Sequence, residues 1–163
     1  MYSNHRRDYS QAIGLKAEEL FKNIMESRGH SVIESSKDEN VYKHIDFWVN
    51  NKSVDVKSKR HLGCIWLELK NVNGYAGWLE SEVEYIAFDV VELESFCIFH
   101  RISLLEFVLN NVKERANDKT EFMKFYTRAN RKDVLVKVTL DNIKHLLIQQ
   151  ISYATTYPKS NRK

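Results

Sequence analysis

The stretch HIDFWVNNKSVDVKSKR, residues 44–60, constrains the fold of this chain more than any other. Apolar and polar residues alternate on both sides of Asn50-Asn51, with the period of two that marks a half-buried strand. Asparagine tolerates left-handed backbone better than any residue except glycine. The spacing therefore predicts a hairpin of strands over 44–49 and 53–59, joined through NNKS. Side chains alternate across a strand, so residues 55, 57 and 59 share one face and 54, 56 and 58 the other. A two-residue turn at Asn50-Asn51 places Asp46 opposite Asp55, whereas a four-residue loop over 50–53 places Asp46 opposite Lys57. In either register Asp46, Asp55 and Lys57 fall on one face, and Ile45, Phe47, Val49, Val54 and Val56 on the other.

Directly opposed residues in such a pair lie about 4.5–5.5 Å apart, and like charges there are destabilising. Two carboxylates at that spacing share a proton or hold a cation. Hard oxygen ligands suit Mg²⁺ or Mn²⁺, and two carboxylates with waters and a substrate phosphate make a common Mg²⁺ shell. Lys57 beside them is placed to orient an attacking water or to offset charge developing on a phosphate. The same residues also fit a solvated hairpin face carrying Asp–Lys pairs.

The rest of the chain reads as the frame for this hairpin. Residues 11–28 repeat Ile13, Ala17, Leu20, Phe21 and Ile24 at helical spacing, with Ser10 as N-cap and Gly29 after the C-terminus. SVIES is a short strand, CIWLELKN a strand with Trp66, Glu68 and Lys70 on its wet face, and VEYIAFDVV and SFCIFHRI two buried strands. A helix opened by Ser103, a strand in DVLVKVTL and a helix in LDNIKHLLIQQI complete the order. This predicts an α/β (α+β) domain with a central mixed sheet flanked by helices.

With 163 residues, 43% of them hydrophobic, and only one proline and five glycines, the chain is expected to form one domain over 1–153. Residues 154–163 read as a flexible basic tail. Cys64 and Cys97 form no CxxC and sit among apolar neighbours, which favours thiols over zinc or a disulfide. No apolar run reaches membrane-spanning length, and the N-terminus lacks a signal peptide's apolar core, so no membrane is expected and the location is expected to be intracellular (cytoplasmic). A formal net charge of +3 does not argue nucleic-acid binding by itself. The basic residues are clustered, however, at His5, Arg6 and Arg7, at Lys57, Lys59, Arg60 and His61, from Lys124 to Lys137, and at Lys159, Arg162 and Lys163.

Asp46, a short hairpin and then Asp55-Val56-Lys57 together resemble the PD-(D/E)XK nuclease superfamily, with Ile45 where the family name has proline. GLKAEELF resembles the G-x-x-x-E pattern on the first helix of resolvase-like members, with Gly14 and Glu18 at those places and Glu19 the second choice for the acid. The order of helix, β-meander carrying the motif, helix and further strand is similar to that restriction-endonuclease-like fold, over roughly residues 11–110. The resemblance implies a metal-dependent DNA endonuclease, acting on branched or recombining DNA as a homodimer in the manner of stand-alone junction resolvases and small phage nucleases. It implies that Asp46, Asp55 and the Val56 carbonyl hold Mg²⁺ (or Mn²⁺), that Glu18 contributes through water or a second metal, and that Lys57 orients the water. A second register, Asp55-x12-Glu68-Leu69-Lys70, also matches the motif, with Glu68 and Lys70 otherwise accessory. Candidate nucleic-acid contacts are Lys59 and Arg60, Tyr75 and Trp78 as stacking surfaces in the Gly74–Trp78 loop, and Lys124, Arg128, Arg131 and Lys132. A Gly-flanked Trp also serves simply to anchor a loop. The alternative to an enzyme is a non-catalytic nucleic-acid-binding or interaction module that keeps the fold, or a structural protein whose hairpin charges are only solvated.

Overall fold

The structure is a computed structural model that describes residues 3–153, with side chains described from Gly14 onward. The side chains of His5 to Arg7 and of Ile13, and the tail over 154–163, lie outside what is described. In chain order the elements are α1 (Ser3–Ser27), β1 (Val32–Glu34), α2 (Lys37–Lys43), β2 (Phe47–Val49), β3 (Lys52–Arg60), β4 (Ile65–Lys70), β5 (Tyr85–Val90), β6 (Ser95–His100) and α3 (Arg101–Asn111). They continue with β7 (Phe125–Tyr126), β8 (Val134–Val138), α4 (Leu140–Ile143) and β9 (Gln149–Ser152).

The molecule is mixed α/β, with a mixed central sheet flanked by helices. That sheet has the order β1-β2-β3-β5-β6-β9, in which β3 and β5 run parallel and every other neighbour is antiparallel. One face is covered by α1, which buries Ala17, Phe21, Ile24 and Met25 against Phe47, Val49, Val54, Val56, Phe96 and Ile151. Phe21 is the centre of this layer, with its ring edge-on to Phe96 at 5.3 Å between centroids. The helix ends in a left-handed Gly29 (φ 84°), and the His30 N–H donates to the Met25 carbonyl, which satisfies a carbonyl the helix would otherwise leave open.

The other face carries Ile86, Phe88, Val90, Cys97 and Phe99, and is covered by α3, α4 and a second, three-stranded antiparallel sheet of order β4-β8-β7. Ile65, Leu67 and Leu69 of β4 turn inward, as their alternation predicts, but β4 does not extend the hairpin. The expected meander is formed one strand earlier, by β1, β2 and β3, with α2 inserted between the first two.

Several sequence expectations shift. Helix α1 begins by Ser3, so Ser10 lies inside it rather than at its cap. α2 occupies residues to which the sequence spacing assigned no element; Ser36 and Glu39 open it with a reciprocal capping box, a Ser-x-x-Glu signal visible in the sequence. Helix α3 opens at Arg101, before Ser103, because the Arg101 guanidinium is drawn back to the carbonyls of Val83 (2.7 Å) and Leu79 (2.9 Å). The helix expected over 140–151 stops after one turn. Residues 149–152 instead pair with β6, which would otherwise leave a row of open backbone groups, and Ile151 drops onto Phe96. Cys64 and Cys97 are free.

Candidate active site

Asn50 and Asn51 both take positive φ (47° and 65°), and Phe47 pairs with Val54, Trp48 with Ser53 and Val49 with Lys52. This is the two-residue-turn register. The ladder stops at Phe47, because α2 ends in a left-handed His44 (φ 58°) and feeds Ile45 and Asp46 in obliquely. Ile45 accordingly packs with the second sheet's core rather than beside Phe47 and Val49, which corrects the expectation that it shares their face.

Beyond this point the β2 side of β3 lacks a strand, and the Asp46 side chain takes its place. Its Oδ2 accepts the Val56 N–H at 2.7 Å, and its Oδ1 accepts from Asn40 Nδ2 at 2.7 Å. Glu18, reaching over from α1, and Asp55, on β3, both come within hydrogen-bonding reach of the same carboxyl. Burial first, then repulsion from Asp55 and Glu18, pushes Asp46 up to about 8, the response of carboxylates brought together away from solvent. Burial also raises Glu18. Glu19, the second choice, is exposed.

Asp55 is 4% exposed, and Lys57 Nζ lies 3.0 Å from its Oδ2. The approach is off the hydrogen-bond direction, so Oδ2 has an ionic neighbour but no hydrogen-bond partner. Lys57 itself sits 5.1 Å above the ring of Trp78, which packs edge-on against Phe88. Trp78 is 5% exposed and begins a 3₁₀ turn, so it anchors the loop; Tyr75 is the open ring there, at 73% exposed.

The alternation that puts 55, 57 and 59 on one face fails at its last member. A bulge between Lys57 and Arg60, with Lys59 at φ 41°, turns Lys59 outward and pairs Arg60 with Val90. Arg60 therefore joins Asp55 and Lys57, and its charge feels Asp55 and Glu68. Its Nε is buried without a partner. Glu68 of β4 lies at this side, and Gly77 is glycine because a Cβ would come within 2.7 Å of the Glu68 carbonyl oxygen. Lys70 is tied to Glu80 at 2.5 Å. Glu68 and Lys70 thus sit on the second sheet, while Asp55 meets Asp46 and has Lys57 3.0 Å away. Of the more distant cations, Lys124 is engaged by Glu121 at 2.8 Å and Arg128 by the fully buried Asp133, whereas Arg131 and Lys132 are exposed.

Two neighbours of the site were not singled out in the sequence. Asn40 orients Asp46, and the capping box that builds its helix was the available signal. His44, half-buried and held below its ordinary pKa by burial, is close enough to feel Asp55, Lys57 and Glu68; nothing in the sequence marks it. Replacing Asn40 by alanine frees Asp46 Oδ1 while leaving the acids in place. We expect about a tenfold loss in any activity that needs a fixed Asp46, with little change in melting temperature.

The donors fit a hard divalent cation: Asp46 and Asp55 bring carboxylate oxygens together, and Asp55 Oδ2 is buried with the Lys57 ammonium beside it but no hydrogen bond. Among the described residues no three acidic, His or Cys side chains already stand as a finished metal cage, so a cation would draw Asp46 and Asp55 into new positions. A cleft of about 710 Å³ leads to Glu18 and Asp46 from the α1–α2 side. Among the described residues no helix is long and apolar enough to cross a membrane. Comparison of the chain with protein-family models, with curated proteins and with solved structures finds no match.

Proposed function

We propose that this protein is a metal-dependent DNA endonuclease of PD-(D/E)XK type that hydrolyses phosphodiester bonds. The observation that carries the reading is the meeting of Glu18, Asp46, Asp55 and Lys57 at one strand edge, although they come from a helix, the approach to a hairpin and its second strand. Asp46, Asp55 and the Val56 carbonyl would hold Mg²⁺ or Mn²⁺, with Glu18 beside them. The cation would supply Lewis acidity toward the phosphodiester. Lys57, confined between Asp55 and the Trp78 ring, has an ammonium that orients the attacking water and meets the charge growing on the phosphate. The proposal extends to branched or recombining DNA as substrate and to a homodimer, since cutting two strands needs two such sites.

The test incubates the purified chain with supercoiled, linear, single-stranded and four-way-junction DNA in Mg²⁺, Mn²⁺ or EDTA. Metal-dependent cutting that disappears in Asp55→Ala and Lys57→Ala supports the enzyme. If wild type and both variants retard DNA equally and none cuts, the chain is a binding module. Loss of cutting in Glu68→Ala with normal activity in Asp46→Ala would move the chemistry to the β4 register.

A further inference from the structure

Trp78, whose ring has Lys57 5.1 Å from its centroid, also lines a second pocket of about 360 Å³, within the range of about 300–1,000 Å³ typical of small-ligand sites. Its walls combine half-buried rings, Trp66 on β4 and Tyr126 on β7, 5.8 Å apart between centroids, with Arg60, Lys119 and Arg128. Glu68 is the one carboxylate in its lining.

Two of the cations are held in place by the fold. Arg60 is turned inward by the β3 bulge, with Nε buried and unpartnered. Arg128 is fixed through its Nε and its backbone N–H to the fully buried Asp133, which leaves the outer guanidinium nitrogens to face a ligand. Lys119 is exposed at the rim. The wall thus pairs flat apolar rings with an excess of positive charge and a single acceptor that is also negative. That combination suits a planar heterocycle carrying a phosphate. Stacking on a ring requires a base already out of a duplex.

We infer that this pocket takes one unpaired nucleotide of the DNA strand, its base against Trp66 and Tyr126 and its phosphate on Arg128 and Lys119. Glu68 accepts a hydrogen bond from the base, which favours cytosine, whose exocyclic amine donates at the edge of the ring, over thymine, whose one donor, N3–H, is flanked by two carbonyl oxygens that a carboxylate repels. Trp78 is shared by the pocket and by Lys57, so the strand running out of the pocket reaches the proposed cutting site. The inference rests on the nucleic-acid part of the proposed function and not on cleavage.

Fluorescein-labelled dC12, dT12 and a blunt 12-base-pair duplex are titrated with the full chain in EDTA, so that no cutting intervenes. We expect dC12 to bind at least about tenfold more tightly than the duplex, and more tightly than dT12. Stacking of about 1–3 kcal/mol per base corresponds to a loss of about 5- to 150-fold in Tyr126→Ala and little loss in Tyr126→Phe. Lys119→Gln, at an exposed position that leaves the fold alone, should reduce the slope of affinity against salt by about one charge. Glu68→Gln should narrow the gap between dC12 and dT12. Equal affinity for duplex and single strand, or equal affinity of wild type and both Tyr126 variants for dC12, overturns the inference. Cutting by wild type alongside indifferent Tyr126 variants would sink the pocket and leave the nuclease standing. Tyr126-dependent binding of dC12 without cutting in any metal does the reverse.

Discussion

In Mg²⁺, Asp55→Asn is expected to cut DNA at least about 10³-fold more slowly than wild type while remaining folded. The residue is 4% exposed, and its Oδ2 has no hydrogen bond to lose, so the isosteric amide removes charge rather than packing. Losing the charge takes away one of the two carboxylates argued to hold the cation. Lys57→Ala is the companion, since its ammonium lies 3.0 Å from Asp55 and is held over the Trp78 ring. Positioned proton-transfer and charge-stabilising groups contribute about 10²–10⁴-fold, so a loss in that range is expected for Lys57→Ala. The two variants separate in metal binding. Calorimetric titration with Mn²⁺ should weaken in Asp55→Asn and persist in Lys57→Ala. Undiminished cutting by either protein would remove the catalytic assignment.

The second large effect is on stability and needs no substrate. Asp46 is pushed up to about 8 by burial and by its acidic neighbours, against about 3.9 for an exposed aspartate. Between roughly pH 4 and pH 8 the folded chain therefore holds a proton that the unfolded chain has released. Stability tied to that proton is present in full below about pH 4 and is lost as pH rises through about 8. In EDTA, urea midpoints should fall across this interval, and Asp46→Asn should fall less steeply. Mg²⁺ at pH 8 replaces the missing proton with a cation. At one hundred times its dissociation constant it should contribute about 2.7 kcal/mol, which raises the melting temperature of a chain this size by about 5–10 °C. A wild-type protein indifferent to both pH and Mg²⁺ would show that these carboxylates need no countercharge.

The legibility of the chain follows the range of the interactions that shape each part. The hairpin was readable because its causes are local: two asparagines that accept positive φ, and an apolar alternation that collects Phe47, Val49, Val54 and Val56 against one helix. The same holds for α1, whose Ala17, Phe21 and Ile24 recur on one stripe, and for the inward residues of β4. Asp46, Asp55 and Lys57 could be named together because the two-residue turn brings residues 46 and 55 toward each other.

What no local pattern contains is the choice of partners. Whether β4 would extend the hairpin or join β8 depends on which sheet can bury Ile65, Leu67 and Leu69, and that is settled 70 residues further along at Val134–Val138. The sequence LDNIKHLLIQQI has helical spacing, but the open edge of β6 captures its last three residues together with Ser152, because backbone hydrogen bonds there outweigh propensity. The bulge that exchanges Lys59 for Arg60 and the oblique entry of Asp46 from α2 likewise depend on neighbours distant in sequence. The sequence by itself determined the acids, the lysine and the strand that carries them. Only the tertiary structure decided that regular pairing ends at Phe47 and that the Asp46 side chain accepts the Val56 N–H, since the chain enters β2 from α2 through a left-handed His44.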